Sequence, residues 1–149
     1  MKTLPHYYQV TAIAGQNENL ELSVPGLPNL EVAPPRDFDG PGDVWSPEDL
    51  LLSSVASCTV LSFRAIARAA RFEWLNIICM SEGVLERIDK KTRFTRIHTK
   101  VQLRLPLSSD KAKIAEKATK LLFNAEESCL VSNSLSAQCD IECEILFGI

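Results

Sequence analysis

The chain has 149 residues, 46% of them hydrophobic and 23% charged, with a formal net charge of -3. Those proportions describe one globular domain, residues 1–149, and not a disordered chain. So weak a charge, with no lysine–arginine run, argues against nucleic-acid and membrane-surface partners. The amino terminus has no apolar stretch of signal-peptide length, and no segment is expected to reach the roughly 20 apolar residues of a membrane span. The expected location is the cytoplasm. Five cysteines are an odd number for a disulfide framework, which a reducing compartment disfavours in any case. There is no Cys-x-x-Cys, and His6 and His98 lie far from each other and from any cysteine, so neither zinc nor another cofactor is expected.

Short strands are predicted first, over Tyr7–Ile13, Leu20–Val24 and Leu30–Val32, with Pro25-Gly26 as a turn. Pro34 to Asp43 can be neither helix nor inner strand, and loops of about a dozen residues in compact domains are usually functional or mobile. Ser46 is a good N-cap, Pro47 a favoured first-turn residue, and Glu48 and Asp49 suit the positive end of a helix dipole. That helix is predicted to run to about Arg71. Its first half is apolar or small on every side, predicting burial on most faces. Arg64, Arg68 and Arg71 read as a solvated stripe on its second half.

A strand from Phe72 to about Asp89 follows, then a turn at Lys90-Lys91. The return strand, Phe94 to Leu105, puts Ile97, Val101, Leu103 and Leu105 on one face and Arg96, His98, Lys100, Gln102 and Arg104 on the other. Ser108-Ser109-Asp110 caps a helix to about Ser128 with an apolar stripe of Ile114, Ala118, Leu121, Leu122 and Ala125. Cys129 to Leu135 reads as the start of a short helix. The last strand alternates Cys139, Ile141, Cys143 and Ile145 against Asp140, Glu142 and Glu144. Cys139, Cys143 and, in Ile77-Ile78-Cys79-Met80, Cys79 therefore read as small core hydrophobes. The fold class is α+β.

Cys58, in mid-helix, and Cys129, after a helix, have contexts that packing cysteines rarely have. A redox thiol needs a lowered pKa and, for turnover, a second thiol. The helix dipole acts mainly at its first turn, so Cys58 needs a cation, and Arg36 in the preceding loop is the best source. Glu48 lies ten residues before Cys58, about 15 Å of rise and roughly 80° in azimuth away. Either it is a first-turn dipole partner, or it serves the site across a subunit interface.

The order β-β-β, long helix, β-β, helix, β, together with Trp45-Ser46-Pro47-Glu48-Asp49-Leu50-Leu51 followed by Cys58, and Cys129-x-Val131-Ser132-Asn133-x-Leu135, resembles the OsmC/Ohr family of peroxide-detoxifying proteins. The resemblance runs from Arg36 to the last strand. It implies antiparallel sheets against a long central helix and a second helix, in an intertwined homodimer with active sites at the interface. It further implies a peroxidatic Cys58 and a resolving Cys129 that reduce organic hydroperoxides through an intramolecular disulfide. Arg36 would polarise the peroxide and Glu48 would orient Arg36. An apolar lining of Phe38, Trp45, Leu51, Leu52 and Val55 would favour organic peroxides, and a dithiol, in some members a lipoyl group, would be the reductant. The chain departs from the pattern at Asp37, an extra residue between Arg36 and Phe38, and at Leu130, where a proline commonly follows the resolving cysteine. These departures motivate a second reading: a catalytically weak redox sensor or small-ligand binding protein of the same fold.

Overall fold

The computed structural model describes residues 3–148, which fall into two compact units, one ending at Leu50 and the other starting at Leu51. In the first unit, β1 (Thr11–Ile13), β2 (Leu20–Ser23) and β3 (Leu30–Val32) form an antiparallel meander. The predicted first strand is shorter than its β-rich sequence suggested, and the third matches. Val32 bridges to Trp45, and Ala33 N–H donates to the Trp45 carbonyl at 3.0 Å, so the intervening loop is tied at its base. Arg36–Phe38 makes one 3-10 turn within that loop.

Helix α1 (Pro47–Ala69) begins where the sequence places it. Ser46 Oγ and N–H both donate to Asp49 Oδ2, at 2.7 and 3.0 Å, while Asp49 N–H donates back to Ser46 Oγ at 3.1 Å. This reciprocal pair satisfies first-turn donors that have no helical partner. The helix ends two residues before the expected Arg71, which adopts a positive φ of 48°. Phe72 N–H then donates to the Ala67 carbonyl at 2.8 Å, closing the last turn.

In the second unit, β4 (Asn76–Ile88), β5 (Lys91–Leu105) and β6 (Gln138–Phe147) form a sheet with β5 in the centre, and α2 (Lys111–Glu127) connects β5 to β6. β4 and β5 are antiparallel, but β6 runs parallel to β5. This corrects the expectation of wholly antiparallel sheets. The cause is connectivity: a helical crossover between two neighbouring strands returns the chain to the same end of the sheet. The β4–β5 turn falls at Asp89 and Lys90, both at positive φ, one residue earlier than predicted.

The alternation of β5 holds, with Ile97, Thr99, Val101, Leu103 and Leu105 at 0–1% exposure. Val101, Leu103 and Leu105 pack with Phe63 and Ala67 of α1 and Ala118, Leu122 and Ala125 of α2. Gly83 of β4 makes room on this face. A Cβ there would lie 2.6 Å from a Phe94 ring carbon and 2.9 Å from Leu52 Cδ2. Asp110 caps α2 by accepting from Lys113 N–H at 3.3 Å.

Within the described chain α1 is not buried on most faces. Only Val55, Thr59, Phe63 and Ala67 are buried, one residue per turn, and Leu61 is 58% exposed. The three arginines on its far half are exposed as predicted. By length and composition α1 would also suffice to cross a membrane, contrary to expectation. Its buried stripe is that of a core helix.

Candidate functional site

Cys58 sits beside the buried stripe of α1, next to Thr59, and is half-buried. Cys129, two residues beyond the end of α2, is fully buried. The Cys129 thiol is among the groups that act on the ionisation of Cys58. The loop that follows α2 is held by its own hydrogen bonds. Asn133 N–H donates to the Cys129 carbonyl at 3.0 Å, Asn133 Nδ2 to the Glu127 carbonyl at 3.0 Å, and Ser134 Oγ to the Leu130 carbonyl at 2.6 Å. Ser132, itself buried, directs N–H and Oγ at Cys129 Sγ, at 3.5 and 3.3 Å. Leu130 is 70% exposed, so its replacement of a proline leaves these bonds intact.

Burial pushes the Cys58 thiol above its ordinary pKa. The Val131 backbone and the Ser62 hydroxyl, one turn further along α1, oppose this, and the Cys129 thiol reinforces it. The groups acting on Cys58 within this unit carry no positive charge. Burial pushes Cys79 and Cys143 further, each to about 11, with the Glu126 carboxylate adding to the effect at Cys79 and Glu142 at Cys143. All five cysteines are free. Ser62 and the Val131 backbone were not singled out from sequence. Ser62 at four residues from Cys58 is a usable signal, whereas a backbone donor leaves none.

In the first unit, Arg36 lies in the 3-10 turn with its stem across Gly42, which has φ +70°. Among the described residues Arg36 and Asp37 form no ion pair. Glu48 stands apart from the Ser46–Asp49 cap, and its Oε2 is buried with no hydrogen-bond partner among the described residues. A buried carboxylate oxygen left so is rare and costly. Phe38 and Trp45 are about half exposed. In the second unit Leu51 and Leu52 are half-buried, and Val55 is fully buried in the inward stripe. Ser53, Ala56, Ser57, Val60, Leu61 and Cys79 line an open groove of about 460 Å³ along α1.

A long helix that carries one free thiol and a second free thiol just after another helix, in an α+β chain with two three-stranded sheets, define the class of fold. The model of the OsmC-like protein family matches residues 40–144, and the chain belongs to that family. It is 23% identical over 141 residues to the uncharacterized protein YmaD of Bacillus subtilis, covering 93% of this chain and 92% of that one. An OsmC-like protein of unknown function from Vibrio cholerae has the same fold, with a TM-score of 0.80, 17% identity and coverage of 93% of this chain and 100% of that one. So does an organic hydroperoxide resistance protein, OsmC, from Legionella pneumophila, with a TM-score of 0.69, 22% identity and coverage of 95% and 99%.

Proposed function

We propose that this protein is a cytoplasmic thiol peroxidase that reduces organic hydroperoxides through Cys58 and Cys129. The observation that carries the reading is that Cys129, fully buried beside α2, acts on the ionisation of the half-buried Cys58 on α1. The Cys58 thiolate attacks the terminal peroxide oxygen. The O–O bond breaks, an alcohol leaves with a proton, and Cys58 becomes sulfenic acid. Cys129 attacks the Cys58 sulfur, water leaves, and the disulfide forms. A dithiol, such as a lipoyl group, restores both thiols by exchange. Arg36 stabilises the thiolate and polarises the O–O bond, and Glu48 accepts from Arg36. The Glu48 oxygen, buried without a hydrogen-bond partner among the described residues, supports this assignment. Phe38, Trp45, Leu51, Leu52 and Val55 would supply the apolar lining that favours organic peroxides. The groove on α1 and the exposed Leu61 support a homodimer in which a second copy covers this face.

A redox sensor or ligand-binding role is the second reading. It is favoured by the upward push of burial on Cys58, which slows peroxide attack. The two separate on turnover. Dithiol-dependent consumption of cumene hydroperoxide should proceed in the native protein and vanish in Cys58→Ser. A native protein that forms the disulfide once but does not turn over would favour the sensor.

A further inference from the structure

Glu126 stands in the last turn of α2, four residues after Leu122, on the helix face whose Leu122 and Ala125 pack in the core with Phe63 of α1. It is half-buried, whereas its neighbour Glu127 is exposed. A carboxylate on an apolar helix face is costly, and packing alone would be better served by an apolar residue. Bonds from both thiol-bearing segments reach Glu126. Thr59 Oγ1, fully buried on α1, donates to Glu126 Oε2 at 3.3 Å. Cys129 N–H donates to the Glu126 carbonyl at 3.0 Å. Thr59 is the residue after Cys58. One residue of α2 therefore holds the backbone of one thiol's turn and, through its side chain, the helix turn that carries the other. The Thr59 hydroxyl also donates to the Val55 carbonyl at 3.1 Å, but that bond stays within α1. Burial and, after it, the Glu126 carboxylate raise the thiols of Cys79 and Cys139, in keeping with a carboxylate turned toward the core.

We propose that Glu126 is a positioning residue, which holds the Cys129 turn against the Cys58 turn of α1 for disulfide formation. This rests on the peroxidase reading for the pairing of these two thiols. In the step it serves, Cys129 Sγ attacks the sulfur of the Cys58 sulfenic acid. The S–S bond forms, the S–O bond breaks, and the hydroxyl leaves as water with the Cys129 proton. The oxidant is the hydroperoxide already consumed, and no other is needed. Until that attack occurs, the sulfenic acid is open to a second hydroperoxide and to conversion into sulfinic acid. A tether between the two turns shortens this interval, because it raises the effective concentration of one sulfur at the other. Disulfide geometry needs the two Cα atoms within about 7 Å, so a loosened turn loses this reaction first.

The test is the redox equilibrium of the protein with glutathione, which needs no peroxide, read by peptide mapping after an acid quench. Each Cys58–Cys129 disulfide formed consumes one glutathione disulfide and releases two glutathione thiols. Glu126→Ala and Thr59→Val each remove the tether, and the second keeps the branched shape of the buried side chain. Each should lower the equilibrium constant for the disulfide about tenfold, which raises its potential by about 30 mV. The double variant should lower it no further. Glu126→Gln keeps an acceptor for Thr59 and should restore most of the native value, which a role for the charge alone would not. With excess cumene hydroperoxide, Glu126→Ala should accumulate Cys58 sulfinic acid about tenfold faster than the native protein, while sulfenic acid forms at the native rate. Native equilibrium constants in both Glu126→Ala and Thr59→Val, or a Glu126→Gln value as low as that of Glu126→Ala, would overturn the proposal. So would a native protein in which glutathione forms no Cys58–Cys129 disulfide. The peroxidase reading fails separately, on the absence of cumene hydroperoxide consumption.

Discussion

The seat of Arg36 offers a prediction in which activity and stability separate. Gly42 has φ +70°, and a Cβ built on it would lie 2.6 Å from Arg36 Cγ and 2.8 Å from Cδ, with Nε also in the way. Gly42→Ala therefore does two things. It places an L-residue in the left-handed region, at about 1–2 kcal/mol of stability. It also pushes the arginine off its seat, which costs little in stability because a long exposed side chain can swing away. If Arg36 activates Cys58, losing its placement should slow peroxide reduction about tenfold to a hundredfold, the worth of a positioned charge-assisted contact of roughly 1.5–3 kcal/mol. A double-mutant cycle isolates the route. In the Arg36→Ala background, Gly42→Ala should still lower the urea midpoint but should slow the reaction no further. Rates come from stopped-flow reaction with cumene hydroperoxide, and stability from denaturation followed by circular dichroism. Equal slowing in both backgrounds would refute the reasoning, since Gly42 would then act through the backbone alone.

Two further outcomes follow from the titrating groups. Brief iodoacetamide treatment at pH 7 should label Cys58 first. Cys79 and Cys143, held at about 11, are thiolate in only about one molecule in ten thousand at that pH. First labelling of Cys79, Cys139 or Cys143 in the folded protein would overturn the roles given to the thiols. His98 bonds Asp140 through Nδ1 and Glu142 through Nε2, the latter at 3.2 Å, and both carboxylates raise its pKa. Its folded pKa lies above the unfolded value of about 6.5, so its contribution is complete below that value and is lost as pH rises through the folded pKa. NMR titration should place His98 above 6.5 and Asp140→Asn should bring it down; a native value at or below 6.5 would contradict the pairing.

What could be read in advance follows from where the signals reside. The start of α1 was legible because Ser46, Pro47 and Asp49 are side-chain signals for an N-terminus. Its end was not, because Arg71 takes the left-handed position that glycine usually marks. The same cause misplaced the β4–β5 turn, where Asp89 and Lys90 take positive φ without a glycine. Alternation told which residues of β6 face the core, and it carries no information on strand direction. The parallel pairing had to come from the crossover through α2. At the site, Cys58 and Cys129 were legible from two motifs, whereas their donors were not, because Val131 acts through its backbone.

The two units pose complementary problems, and one kind of group answers both. In the first, a buried Glu48 oxygen lacks a donor among the described residues, whereas Asp49, one residue away, caps the helix through Oδ2. The capping work that could have explained an acid at the start of α1 is done by its neighbour, so Glu48 is available for another partner. In the second, the groups that act on Cys58 are a hydroxyl, a backbone group and another thiol, while burial opposes its ionisation. A carboxylate without a donor and a thiol without a cation each call for a guanidinium, which is always charged and has five donors in a fixed fork. Lysine would supply the charge but not the second, fixed direction needed to bond a carboxylate and face a sulfur together. Under the proposed function Arg36, whose stem lies across Gly42 and which forms no ion pair with Asp37 among the described residues, is the arginine assigned to that role.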